Sequence, residues 1–188
     1  MNKNIVMNRI HQKNAVPLPR RLISYLIDWY VGGLCTAIPI SIVSQKLTGT
    51  MTNQNLLTFD NGYAIGTGIF ALLFALFYFV IVPTYIWKGQ TVGKRICKLK
   101  VVQVDNQEVT LKNMLLRQVI GMIVMEGAML SASTIWHQIL SIITNYNFIT
   151  LFMYIGFGIT LISVVMLLFS TDSRALHDYL GSTKVVCV

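Results

Sequence analysis

A carboxylate stands inside an apolar run near the beginning of this chain. Arg20 and Arg21 open the run, which continues to about Val43, and Asp28 follows Arg21 by seven residues. At about 1.5 Å per helical residue, Asp28 lies about 10 Å beyond Arg21 and points in almost the same direction. That depth is inside a bilayer, where a charged side chain costs at least about 2.5 kcal/mol and usually faces a helix-bundle interior. The rest of the chain must therefore supply a basic partner for Asp28.

The composition is typical of a membrane protein. Of the 188 residues, 54% are hydrophobic and 12% are charged, whereas soluble proteins have about 25% charged residues. The net charge of +8 comes from Lys and Arg residues beside the apolar runs, and no basic helix carries interleaved aromatic residues. We therefore expect anionic lipid headgroups, and not nucleic acid, to be the partner of this charge.

The apolar runs predict an all-α integral membrane protein with four transmembrane helices, forming one domain over residues 1–188. The spans are expected at about 22–43, 62–87, 113–131 and 148–169. Residues 1–18 are expected to form either a short amphipathic segment on the membrane surface or a disordered basic tail.

The loop between the second and third spans indicates the topology. Its basic residues are Lys88, Lys94, Arg95, Lys98, Lys100 and Lys112. By the positive-inside rule, we place this loop and both termini on the cytoplasmic side of the membrane. Alternating residues predict a small cytoplasmic β-hairpin over about 98–111, with strands at 99–104 and 108–111. The β-branched segment 182–187, in the cytoplasmic tail 170–188, is its expected third strand.

Arg117 is the predicted partner of Asp28. It lies four or five residues into the third predicted span, which gives it a depth of about 7 Å, similar to that of Asp28. A single buried pair could serve only to lock two helices together. Further charged or titratable side chains are expected near the same inner boundary, and these are Arg21, Arg174, His177 and Asp178. We therefore predict a cluster of several charges.

The last of these residues are expected on one short helix. Thr171, Asp172 and Ser173 can cap a helix that runs from Arg174 to Leu180 and stops before Gly181. Arg174 and Asp178 are four residues apart on this helix, which is a spacing at which opposite charges can meet.

Glu126 is a second, separate candidate. It follows Arg117 by nine residues, so an α-helix would place it about 13 Å deeper and on the opposite side. We therefore do not expect it to join the cluster. If Glu126 faces the bundle, it could take up a proton or a cation, but if it is protonated or reaches a neighbouring subunit it has no such role.

The sequence does not indicate an enzyme, a cofactor or a metal. Residues 89–94 are one residue shorter than a phosphate-binding loop, and Arg95 follows where that loop needs Ser or Thr. His177 and Asp178 would need further histidine ligands to hold a metal, and the chain has only His11 and His137 besides.

Three blocks of this sequence together resemble the RDD family, small bacterial membrane proteins named for one arginine and two aspartates. The blocks are residues 20–28, residues 89–95 with 99–102, and residues 174–178 followed by Gly181, Thr183, Val185 and Val186. The resemblance implies that Arg21, Asp28 and Asp178 are the named residues. It also implies that Arg117 matches a further arginine of the family, whereas Glu126 lies outside the family pattern.

The resemblance implies a role in transport, because members of the family have been linked to transport, including cation and proton exchange. We expect a transporter or a transporter component that uses Asp28 and Arg117 near the cytoplasmic face, supported by Arg21 and Asp178. Since four spans are few for a transporter, a homo-oligomer is expected. The alternative is a non-transporting accessory or immunity-type protein whose hairpin and buried charges serve assembly with another membrane protein.

Overall fold

A computed structural model describes residues 16–127, 130–170 and 173–188. The helices are α1 (Leu18–Thr48), α2 (Asn61–Leu76, continuing as a π-helix over Phe77–Ile86), α3 (Val92–Ile96), α4 (Leu111–Met114, continuing as a π-helix over Leu115–Met125), α5 (Ser131–Thr144), α6 (Ile149–Phe169) and α7 (Leu176–Leu180). The strands are β1 (Leu99–Gln103) and β2 (Thr183–Cys187). The predicted N-terminal segment lies almost entirely outside the described residues, as do Thr171 and Asp172 of the predicted helix cap.

Three helices in the described part of the chain are long and apolar enough to cross a membrane, and these are α1, α2 and α6. They correspond to the first, second and fourth predicted spans. The third predicted span is α4, whose α and π portions have four and eleven residues, fewer than the roughly 20 that a spanning helix needs. The predicted count of four spans is therefore not confirmed.

The first two long helices pack against each other and against α5. Buried apolar residues at their contact are Ile40, Leu56, Ala64, Ala71, Ile135 and Ile142. Gly32 lets α1 approach α2 closely, because a Cβ at this position would overlap the ring of Phe79. By contrast, α6 lies at the edge of the bundle against α4, α5 and α7, and its only buried residues are Gly156 and Ser163. Most of its apolar surface therefore faces outward.

Within the described residues the sheet has two strands, not the three that were predicted. β1 and β2 pair antiparallel, with Leu99 opposite Cys187 and Gln103 opposite Thr183. No strand forms at 108–111, because Thr110 instead caps α4. Its hydroxyl accepts a hydrogen bond from the Asn113 backbone N–H, while the Asn113 side chain accepts one from the Thr110 backbone N–H. The predicted hairpin is therefore wrong, but the C-terminal segment does form a strand beside β1.

Candidate functional site

Asp178 is the centre of the first charged cluster, which consists of Arg21, Arg117 and Asp178. Its side chain is completely buried, and Arg21 Nη2 lies 2.5 Å from its Oδ2 atom. Arg117 Nη1 donates to the other carboxylate oxygen, and it also donates to Thr183 Oγ1 at 3.0 Å. One carboxylate thus joins the start of α1, the middle of α4 and the C-terminal segment.

The electrostatics of this cluster favour a charged carboxylate. Burial by itself raises the pKa of Asp178, but the positive charges of Arg117, His177 and Arg21 outweigh that effect and hold the pKa well below its usual range. The Ala175 backbone N–H also donates to Asp178 Oδ2 at 3.1 Å, so the carboxylate caps α7 as well. α7 therefore begins at Leu176, two residues later than predicted.

Arg174 lies beside this cluster but does not contact the Asp178 carboxylate. Its Nε atom donates to the Thr183 carbonyl at 2.9 Å, and its Nη2 atom donates to the backbone carbonyl of Asp178 at 3.2 Å. The guanidinium also stacks 4.2 Å from the ring centroid of Tyr179. The predicted spacing of Arg174 and Asp178 brings the two residues together, but the side-chain ion pair is not formed.

Asp28 forms a second cluster, and its predicted pairing with Arg117 is wrong. Its basic partner is Lys94, whose Nζ atom lies 2.9 Å from Asp28 Oδ2. Three further donors bind the carboxylate, namely Tyr78 Oη at 2.7 Å, Thr91 Oγ1 at 2.5 Å and the Gly93 backbone N–H at 2.8 Å. We call Asp28 and these four residues the Asp28 cluster.

The position of α3 explains why Lys94, and not Arg117, reaches Asp28. The N-terminal end of this short helix packs on α1. The Gly93 backbone N–H and the Thr91 hydroxyl therefore point at the Asp28 carboxylate. Gly93 is needed there because a Cβ would overlap the Ser24 carbonyl and lie 2.9 Å from Asp28 Cγ. Arg117 is meanwhile held by Asp178.

Glu126 pairs with His177, contrary to the prediction that it lies apart from the other charges. Glu126 Oε2 lies 2.9 Å from His177 Nδ1, and Glu126 Oε1 accepts from the His177 backbone N–H at 3.1 Å and from Ser163 Oγ at 2.6 Å. His177 Nε2 lies 3.9 Å from Asp178 Oδ2. The Glu126–His177 pair therefore adjoins the cluster of Arg21, Arg117 and Asp178, which we call the Asp178 cluster.

The π-helix in α4 explains the position of Glu126. A π-helix has i→i+5 hydrogen bonds and wider turns than an α-helix, so nine residues make roughly two complete turns. Arg117 and Glu126 consequently face the same side, where they both meet α7. Gly121 lies between Arg117 and Glu126 in the chain and allows α4 to pack closely against α7, because a Cβ at this position would be 2.6 Å from His177 Cβ.

Comparison with known proteins identifies the family. The model of the RDD family matches residues 15–182. The chain belongs to the RDD family. It is also similar to "Uncharacterized protein YckC" of Bacillus subtilis (strain 168), with 25% identity over 166 residues that cover 88% of this chain and 80% of that protein. No solved structure matches the chain.

In this RDD protein, the arginine and the two aspartates that the resemblance indicated, Arg21, Asp28 and Asp178, belong to two separate clusters. Arg21 pairs with Asp178, whereas Asp28 pairs with Lys94 from the central block of the resemblance. The sequence analysis did not predict Lys94, Thr91 and Gly93 as partners of Asp28, because it placed this block in a cytoplasmic loop, away from the membrane-spanning helices. The available signal was that the block contains a lysine and belongs to the same family pattern as Asp28.

A cavity of about 430 Å³ borders all three groups of charges. The charged or titratable side chains among its lining residues include Arg21, Asp28, Lys94, Arg117, Glu126 and His177. Its apolar lining residues include Leu18, Leu22 and Trp29 of α1, Val164, Leu167 and Leu168 of α6, and Phe79, Leu99, Met122, Leu130 and Val185 of other segments. Within the described residues, no group of three His, Cys, Asp or Glu side chains is arranged to hold a metal ion.

Proposed function

We propose that this RDD protein is a transport protein of the bacterial cytoplasmic membrane, or a component of one. In this proposal, it couples the binding of a proton or cation to a change in helix packing. The observation that supports it is that three buried or partly buried acid–base groups, drawn from distant parts of the chain, border one cavity. Ionisable residues are costly inside a membrane protein and commonly mark ion or substrate pathways.

The Glu126–His177 pair is the proposed proton-binding group. Imidazole is the side chain that changes charge between about pH 5 and 8. His177 faces Glu126 on one side and Asp178, with its two arginines, on the other.

Protonation of this pair would alter how three helices are held together. Glu126 follows α4, accepts a hydrogen bond from Ser163 of α6 and accepts another from the His177 backbone of α7. A neutral carboxyl group holds such donors less strongly than a carboxylate does. Proton binding would therefore favour a conformation in which α6 and α7 separate from α4.

The proposed topology has several membrane spans with both termini in the cytoplasm. The antiparallel pairing of β1 with β2 supports it, because the basic loop and the C-terminal tail must then lie on the same side of the membrane. Anionic lipid headgroups are the proposed partners of the basic residues there. The exposed face of α6 is available for a homo-oligomer or for another membrane protein.

Proton flux in reconstituted liposomes tests the proposal. Purified protein is placed in liposomes that contain a pH-sensitive dye, and gradients of NaCl or KCl are imposed against choline chloride. We expect proton movement that empty liposomes lack and that Glu126→Gln reduces at least tenfold. The control Glu108→Gln removes an exposed carboxylate that pairs with Lys88, and it should leave the flux unchanged.

Flux equal to that of empty liposomes would refute transport by this protein alone. Equal flux in the wild type and Glu126→Gln would refute the role of the Glu126–His177 pair. If the protein shows no flux, we would ask whether it co-purifies in mild detergent with another membrane protein in a fixed ratio. Such a partner would favour the alternative of a non-transporting accessory or immunity-type protein.

A further inference from the structure

The end of α2 carries exposed aromatic and apolar side chains. The apolar stretch of α2 that is long enough to cross a membrane ends at Ile86, and Trp87 follows it directly. Tyr85 and Ile86 are 62% and 54% exposed. Tyr and Trp at the end of a span lie at the level of the lipid headgroups. We therefore place Trp87 at the boundary between membrane and water.

Arg95 of α3 lies against this aromatic end. Its Cζ atom is 5.0 Å from the centroid of the Trp87 ring, which is within the range of a cation–π contact. The contact joins two segments that are separate in the chain, and it brings the guanidinium to the level of Trp87. The phosphate groups of membrane lipids lie at this level.

The Arg95 guanidinium keeps all its N–H donors available. Among the described residues, it takes part in no hydrogen bond and no ion pair, and its partner is the Trp87 ring. The guanidinium groups of Arg21, Arg117 and Arg174, in contrast, donate to carboxylate or carbonyl oxygens. A guanidinium has five donors in a planar fork that matches phosphate oxygens.

The residues next to Arg95 are apolar or basic. Ile96 is 63% exposed. The Lys98 backbone N–H donates to the Arg95 carbonyl at 3.2 Å, and the Lys98 side chain is exposed. Residues 85–98 contain no Asp or Glu. We call the following residues the interfacial patch: Tyr85, Ile86, Trp87, Arg95, Ile96 and Lys98.

We propose that the interfacial patch binds the headgroup of an anionic glycerophospholipid, such as phosphatidylglycerol. Arg95 donates to the phosphate oxygens, while Ile86 and Ile96 contact the upper part of the acyl chains. Phosphatidylcholine also has a phosphate, but its choline cation would lie beside Arg95 and Lys98 without a carboxylate to meet it. The inference rests on the partnership with anionic lipid proposed above, and it names the residues that recognise the headgroup.

A lipid at this patch would also act on the Asp28 cluster, because α3 takes part in both. Arg95 and Ile96 belong to the patch, whereas the preceding residues Gly93 and Lys94 bind the Asp28 carboxylate. Headgroup binding would therefore favour the conformation in which α3 packs on α1.

Native mass spectrometry of the detergent-solubilised, full-length protein tests the proposal. The protein is titrated with phosphatidylglycerol or with phosphatidylcholine of the same acyl chains, and the apparent Kd of the first bound lipid is determined. We expect phosphatidylglycerol to bind at least tenfold more tightly. Glycerol 3-phosphate carries a charged phosphate without acyl chains, and it should not displace phosphatidylglycerol at the same concentration.

Lys46 provides a matched control for Arg95. Both side chains are exposed, and substitution by glutamine removes one positive charge in each case. Lys46 lies in the last turn of α1, about 27 Å along the helix from Asp28 at 1.5 Å per residue. Arg95→Gln should weaken the binding of phosphatidylglycerol at least tenfold, whereas Lys46→Gln should leave it unchanged. Trp87→Leu should weaken it at least threefold, although it changes no charge.

Several outcomes would overturn the proposal. Equal Kd values for the two lipids would refute recognition of an anionic headgroup. Equal weakening by Arg95→Gln and Lys46→Gln would show that net charge alone attracts the lipid. An unchanged Kd in Trp87→Leu would refute the role of the ring, and if this variant does not fold, the two glutamine variants still decide the question. Displacement by glycerol 3-phosphate would assign the patch to a soluble phosphate compound.

The lipid titration and the liposome experiment can fail separately. The titration measures binding and requires no flux. Absence of flux with selective binding would refute transport and leave the lipid site standing. Flux without selective binding would refute the lipid site and leave transport standing.

Discussion

Asp178→Asn removes the single negative charge that holds two arginines in the interior. The substitution preserves the size of the side chain, and it leaves a carbonyl oxygen able to accept from the Ala175 backbone N–H. Arg21 and Arg117, whose side chains are only 12% and 3% exposed, then lose their counter-charge. Removal of one partner from a buried ion pair costs about 3–5 kcal/mol, because the other charge is left uncompensated.

This cost predicts a large fall in thermal stability. For a chain of about 150–250 residues, 1 kcal/mol shifts Tm by about 2–4 °C, so Asp178→Asn should lower Tm by about 6–20 °C. The measurement is the temperature at which the detergent-solubilised protein loses its monodisperse size-exclusion peak. The double variant Arg117→Met/Asp178→Asn should lie closer to the wild type, since one unpaired buried charge has been removed.

Glu108→Gln is the matched control. Glu108 Oε2 lies 3.2 Å from Lys88 Nζ, but the side chains are 57% and 64% exposed. Such a surface pair contributes about 0–1 kcal/mol, which corresponds to at most about 4 °C. If Asp178→Asn lowers Tm no more than Glu108→Gln does, the assignment of Asp178 as the buried charge that holds these helices is refuted.

Two further predictions concern acid and close packing. Because the pKa of Asp178 is lowered in the folded protein, its contribution to stability is complete above the unfolded value of about 3.9 and is lost as pH falls toward the folded value. Tm should therefore fall more steeply between about pH 5 and pH 3 in the wild type than in Asp178→Asn, and equal slopes would contradict this. Gly93→Ala should destabilise the protein by about 1–3 kcal/mol through overpacking against Ser24 and Asp28. Gly62→Ala, which meets nothing within 4 Å among the described residues, should not lower Tm, and similar losses in both alanine variants would refute the proposed close contact.

The predictions that held depend on local sequence. The runs that form α1, α2 and α6 are apolar along their whole length, and the segment that forms β2 is rich in β-branched residues. The three blocks of the resemblance contain Asp28 and Asp178, which the structure buries, and Arg21, which it leaves partly buried. These properties could be derived from the sequence because hydropathy and strand preference depend on neighbouring residues.

The predictions that failed concern which charges meet. Arg117 was assigned to Asp28 by depth alone, but depth does not show that α3 packs on α1 and brings Lys94 to that carboxylate. Glu126 was separated from Arg117 by the α-helical period, which does not apply in a π-helix. The predicted strand at 108–111 failed because Thr110 and Asn113 cap α4.

The sequence by itself determined that this chain is a membrane protein of apolar helices with charged residues buried among them. Only the tertiary structure decided that Asp28 binds Lys94, that Asp178 binds Arg21 and Arg117, and that Glu126 binds His177. The physical reason is that the hydropathy of a run depends on residues adjacent in the chain. An ion pair, in contrast, depends on how separate helices turn and pack, and these partners are brought together from positions more than 50 residues apart.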